Sequence, residues 1–168
     1  MKTVFFSILL LGVLTINSCS KSDDNGDKPG ENSEYLTAKV NGSNYTGGSE
    51  HGDFISATIS SGVLVFQGTN NSGSGINFTI VNYTGEGSYK TGDHIENMNL
   101  IQYVEVSPMG AWSSNGVLTE LGLEPGEINV TKQTNNHVEG TFKFVGFNPQ
   151  DESTKSITEG KFRANLEN

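Results

Sequence analysis

The sequence predicts an all-β fold, an antiparallel β-sandwich or flattened barrel of about 8 to 10 short strands, and three observations carry that expectation. From Tyr35 onward apolar residues recur with a period of two, in short runs. The runs are separated by Gly- and Asn-containing clusters of the kind that reverse a chain tightly, with 21 Gly in 168 residues. No stretch keeps helical spacing for long. The nearest is Asp93 to Val104, where Ile95, Met98 and Ile101 stand three apart, but Asn97 and Asn99 interrupt it and Tyr103-Val104 favours strand. A chain of this length suits one domain.

In chain order, Leu36, Ala38 and Val40 alternate with polar residues. Asn41-Gly42 then supplies the positive-φ pair of a type I′ hairpin, so the chain reverses and continues through Tyr45. Ile55, Ala57 and Ile59 form a second alternation, turned by Ser60-Ser61-Gly62. Val63 to Phe66 is apolar at successive positions, which predicts a central strand covered on both faces. Further strands are expected at Ile76-Phe78-Ile80, around Tyr89, within Leu100 to Val106, at Ile128-Val130, at Val138-Phe142-Phe144 and at Phe162-Ala164-Leu166. Met109 to Gly116 reads as a polar, Gly-containing connection. Hairpin-sized links favour antiparallel neighbours. A domain over residues 35–168 buries nearly ~70% of its unfolded surface and can fold without disulfides.

The N-terminus reads as an address. Lys2, the apolar stretch from Val4 to Ile16 and the small Ser18 follow the plan of a signal peptide over residues 1–18. The stretch is shorter than the ~20 residues that cross a bilayer. Next comes Cys19, the only cysteine, which has no internal disulfide partner. Residues 20–34 contain no apolar side chain beyond Pro29, so residues 19–34 are expected to be a disordered acidic tether. Its average reach is roughly 20 to 23 Å.

Ile16-Asn17-Ser18-Cys19 resembles the lipobox of bacterial lipoproteins, with Asn17 departing from the usual small or aliphatic residue. The resemblance implies that Cys19 is acylated, becomes the first residue of the mature chain and holds it in the outer membrane. Two acyl chains already give stable anchoring. Lys21 followed by Asp23 and Asp24 is similar to the charged surface-export signal of Bacteroidota lipoproteins, which implies a domain facing the medium. The body also resembles the small uncharacterised domains of such outer-membrane lipoproteins. The matching pieces are Ala38-Lys39-Val40-Asn41-Gly42, Gly87-Ser88-Tyr89, the run from Val138 to Phe144 and the run from Ile157 to Phe162. These are turns and core positions, so the resemblance implies a fold and a cell address and carries no active site.

Chemistry is sparse. A formal net charge of −9 supplies no basic face for nucleic acid. His51, His94 and His137 lie in separate expected loops without metal-ligand spacing, so neither a metal nor a cofactor is expected. Gly73-Ser74-Gly75 lacks the spacing of a nucleophile elbow. Gly85-Glu86-Gly87 begins a dinucleotide-like pattern that fails at Lys90. Glu120, Glu124 and Glu127 are placed in a loop around Pro125-Gly126, and Asp151 with Glu152 in another, with no groove implied between paired acids. The candidate ligand contact is Trp112, the only tryptophan, with Tyr103 near it. An exposed aromatic stacks on a sugar ring or a partner, whereas a Trp at a strand end plugs the mouth of a sandwich. The sequence therefore points to a non-enzymatic, lipid-anchored binding or accessory module whose partners are the membrane and a glycan or a protein. A lipocalin-like carrier holding an apolar small molecule inside a closed barrel is the alternative. A small hydrolase acting on cell-surface polymers is a second.

Overall fold

The computed structural model of the chain describes residues 33–48 and 53–167. The expected signal peptide, Cys19, the expected tether before Ser33, and His51 lie outside them. Eleven strands follow one another: β1 (Tyr35–Val40), β2 (Ser43–Gly47), β3 (Phe54–Ser60), β4 (Val63–Thr69), β5 (Gly75–Val81), β6 (Gly87–Thr91), β7 (Leu100–Val106), β8 (Met109–Ser114), β9 (Gly126–Gln133), β10 (His137–Asn148) and β11 (Ser153–Asn165). A short 3-10 turn, Gly116–Thr119, precedes β9. No α-helix occurs among the described residues.

All strand ladders are antiparallel, in the order β2-β1-β11-β10-β8-β7-β5-β4-β3. The two longest strands organise the rest. Over Val138–Lys143, β10 pairs with β9, which in turn carries β6; further along, Phe147 of β10 faces Ser113 of β8. In the same way β11 pairs with β1 over Ile157–Arg163, and just beyond it Leu166 bridges Ala57 of β3. The Glu167 amide donates to the Ala57 carbonyl at 2.9 Å. That bridge returns the β3 edge to β11, so the all-β sheet is a nearly closed barrel.

The tight turns arise as their residues dictate. Asn41 (φ 48°) with Gly42 (φ 83°), and Ser61 (φ 51°) with Gly62 (φ 74°), are positive-φ pairs matching the twist of their flanking strands. Inward positions fill the barrel. Phe66 stacks on Phe78 at 4.8 Å between centroids, and Phe162 packs against both at 5.1 and 5.0 Å. These rings are 0–1% exposed and occupy the middle of the barrel, where a carrier keeps its ligand cavity.

The all-β expectation holds, with eleven strands where about 8 to 10 were expected, and three expectations about individual strands are corrected. Met109–Ser114 is a strand, hidden from the periodicity because its inward residues include the buried Ser114 beside Trp112. β11 starts at Ser153, nine residues before the expected Phe162, because only Ile157 is a large apolar residue in its first half. Val65 of β4 is 37% exposed: the strand is central in hydrogen bonding, yet only one face is covered. The Asp93 region forms turns. The asparagines that interrupt its helical spacing hold it, since the side-chain amides of Asn97 and Asn99 both donate to the Lys90 carbonyl at 2.9 Å.

One irregularity shapes the outer surface. The register of β11 shifts against β1 between Thr158 and Lys161 and against β10 between Ile157 and Gly160, and Glu159 takes φ 53°. This is a β-bulge with a non-glycine residue in the left-handed region, a conformation that bulky and β-branched side chains resist. Glu159→Gly is expected to leave stability within about 1 kcal/mol of the parent, since relief of strain offsets the lost exposed ion pair and the added unfolded-state entropy. Glu159→Val is expected to cost about 1–3 kcal/mol. Urea titrations of both variants check this, and equal effects would show that the backbone there is unstrained.

Candidate functional site

The two aromatic candidates do come together. Tyr103 of β7 and Trp112 of β8 are cross-strand partners on the inner face, stacked at 6.1 Å and 5% and 6% exposed. Trp112 Nε1 donates to Ser153 Oγ at 2.8 Å, and the Tyr45 ring meets Tyr103 edge-on at 5.9 Å. Lys155 Nζ lies 4.1 Å from the centre of the Trp112 ring and pairs with Glu105 at 2.5 Å. The Tyr103 hydroxyl donates to the same carboxylate at 2.9 Å. Burial, and then Glu105, push the Tyr103 phenol up to about 12, so it stays a neutral donor. The Tyr45 phenol is raised further, mainly by burial, and donates to the Ser74 carbonyl at 2.8 Å. This end of the barrel is sealed by rings whose polar atoms already have partners. It leaves little of the aromatic surface open to a ligand.

The histidines stay apart. His94 lies in the β6–β7 connection, 4.0 Å from Asp93. His137 is the first residue of β10 rather than a loop residue; its Nδ1 is 2.9 Å from Thr134 Oγ1, and burial is the main cause lowering its pKa. Among the described residues no three His, Cys, Asp or Glu gather as a metal centre requires.

The open site lies on the outside of the barrel, across β6, β9, β10, β11, β1 and β2. Two cross-strand rows run over these six strands. The first is Ser88, Asn129, Thr141, Lys161, Thr37 and Thr46, each paired in register with the next. The second begins Lys90, Glu127 and Lys143, crosses the bulge at Glu159, and ends at Lys39 and Asn44. Between and around them is a groove of ≈ 600 Å³, continuous through Glu159 and Lys161 with a second depression of ≈ 300 Å³.

Charge in the second row is largely compensated. Glu127 accepts from Ser88 Oγ at 2.6 Å and lies 3.5 Å from Lys90 Nζ and 3.7 Å from Lys143 Nζ. The Ser88 hydroxyl, followed by the two ammonium groups, holds its carboxyl below the usual range against a smaller opposing effect of desolvation. Its interactions are therefore present above the ordinary carboxylate range and fade as pH falls through the lowered value. Glu159 pairs with Lys39 at 2.8 Å. Lys161 is exposed and has no ion pair among the described residues. Glu127 belongs to β9 and lines this groove together with Glu159, correcting its expected place in a loop. An acid of a glycosidase pair needs a raised pKa, and Glu127 is shifted the other way.

Sequence reasoning passed over Lys143, Glu159 and Lys161. The available signal was the polar alternation of Thr141-Phe142-Lys143 and Glu159-Gly160-Lys161, which marks an outer face without saying which strands lie beside it.

An aromatic-filled antiparallel barrel with a polar groove on its outer wall is the class of domain these observations define. The chain belongs to the family described as Domain of unknown function (DUF6252), whose model matches residues 32–164. No curated protein and no solved structure matches it.

Proposed function

We propose that this chain is a lipid-anchored, non-enzymatic lipoprotein of the outer membrane, turned toward the medium, whose barrel serves as a binding or accessory module. The observation that carries the reading is a well-packed barrel with its polar groove on the outer wall, following a chain start that has the plan of a lipoprotein signal. Tyr35 enters beside Arg163 and Glu139, near the His137 end of β10, whereas Trp112 is held by Ser153 beside Asn148 at the other end. From Glu139 to Phe147 the strand runs about 27 Å. A tether leaving beside Glu139 thus presents the Trp112 end away from its attachment, with the groove on the side wall between. The anchor raises local concentration, and the rigid scaffold makes contact.

Fractionation of cells producing the full chain tests the anchor. The parent is expected with the outer membrane and the Cys19→Ala variant in the soluble fraction. A Cys19→Ala chain that still sediments with membranes would overturn the anchoring. Protease added to intact cells is expected to remove the barrel; full protection would place it on the inner side.

A further inference from the structure

We infer that the outer groove binds an extended, carboxylate-bearing polysaccharide laid across the strands, with Lys161 as its central cation. The inference rests on the reading of this chain as a binding module and names the site and the ligand chemistry.

The in-register rows are the first argument. Ser88, Asn129, Thr141, Thr37 and Thr46 offer hydroxyl and amide groups, each able to donate and to accept, on a line across six neighbouring strands. At ~4.8 Å between strands that line is about 24 Å long, enough for several sugar rings. A hydroxyl-rich chain matches such a row. The groups sit on paired strands, so little ordering entropy is lost on binding.

Charge distribution is the second argument. Lys39, Lys143 and Lys161, three of the seven basic residues at described positions, line the groove, and Lys90 stands beside Glu127 at its edge. Of the fourteen acidic residues at those positions only Glu127 and Glu159 line the groove. Both are satisfied without Lys161, by Lys90, Lys143 and Ser88 in one case and by Lys39 in the other. Lys161 is left as the uncompensated cation in the middle of the hydroxyl row, lining both depressions. A carboxylate on the ligand meets its charge while the ring hydroxyls meet Thr141, Asn129 and Thr37.

The bulge is the third. Because Glu159 takes φ 53° in mid-strand, the register changes between the two rows, and its carboxylate pairs with Lys39 rather than with Lys161. Bulges of this kind re-aim side chains beside binding sites. With no arginine in its lining and its aromatic residues Phe142 and Tyr45 3% and 7% exposed, the groove does not provide the stacking platform of single-stranded nucleic-acid sites. Single-site affinity is expected to be modest and strengthened by many copies on one surface.

The test is a titration of the full chain, isolated in neutral detergent, with a galacturonate hexamer, a neutral glucose hexamer and a glutamate hexapeptide, followed by calorimetry. The galacturonate hexamer is expected to bind, at least about tenfold tighter than the other two, with affinity falling as salt rises. Lys161→Ala is expected to lose about tenfold or more, as loss of a charge-assisted contact does. Lys161→Arg should keep most of the binding, and Lys132→Ala, outside the groove, all of it. Lys161 is exposed, so the Ala variant should unfold at the parent's midpoint. Equal binding of the peptide, undiminished binding by Lys161→Ala, or no binding of the uronate would each overturn the inference. A chain that sediments with membranes but ignores the uronate loses the groove and keeps the anchor; a soluble chain that binds it does the reverse.

Discussion

Phe162→Ala is expected to lower the unfolding free energy of the barrel by about 3–5 kcal/mol, a large part of the roughly 5–15 kcal/mol that holds a domain together. The ring is fully buried and touches Phe66 of β4, Phe78 of β5 and Phe142 of β10, with centroids at 5.1, 5.0 and 6.4 Å. It thus joins the β11–β10 wall to the β4–β5 wall opposite. Its seat is preformed, because a Cβ at Gly140 would stand 2.9 Å from the ring and collide with the Asn129 carbonyl. Removing the ring leaves a cavity between two rigid ladders whose backbones cannot close on it. Equilibrium urea unfolding of the full chain reads the loss directly. A cost under about 1 kcal/mol would mean that the neighbouring rings collapse into the space and that Phe162 is no keystone.

Gly126→Ala is expected to cost about 2–3 kcal/mol, although it adds a single methyl group. Gly126 opens β9 where β6 ends opposite it at Thr91 and where β8 ends at Ser114. Thr91 and Ser114 are both fully buried; their hydroxyls lie 2.8 Å apart, and Ser114 Oγ also accepts from the Gly126 amide at 3.2 Å. A Cβ at Gly126 would sit 2.8 Å from Ser114 Oγ and 2.9 Å from Phe144 Cβ, and closer still to Thr91 Oγ1. The methyl therefore overpacks the core and prises apart a buried polar pair. Because β10 passes from β9 to β8 at this node, the damage is expected to loosen the branch as a whole. The Thr91→Ala background should recover part of the loss by removing the nearest clash, which a double-mutant cycle measures. A single-variant cost below about 0.5 kcal/mol would show that the junction gives way without strain.

Much of the sheet was legible because its inward and outward residues differ in polarity. Leu64 and Phe66, or Ile76, Phe78 and Ile80, mark their inner faces by composition alone. The Asn41-Gly42 turn is equally local, requiring only two residues that accept positive φ. Where the inward residues are themselves polar or small, the pattern disappears. Ser114 and Gly110 conceal β8, and Gly160 with a single early Ile157 conceals half of β11. Trp112 and Tyr103 were identified as a pair, but only the fold shows Lys155 and Ser153 closing over the indole.

The groove shows the division most clearly. Period two states that Ser88, Asn129, Thr141 and Lys161 point outward, and nothing nearer in the chain states that they form one row. Their adjacency depends on pairings between residues up to forty-one positions apart, Ser88 with Asn129, and on a bulge that shifts one strand against two partners. A one-residue slip would turn each side chain to the opposite face, so the row exists only in the register that the packed core selects. Strand faces and tight turns were determined by the sequence alone because each depends on a residue and its near neighbours. Closure at Ala57–Leu166, the shared lengths of β10 and β11, and the line of groups around Lys161 were decided by tertiary structure, because each depends on which distant strands the core brings side by side.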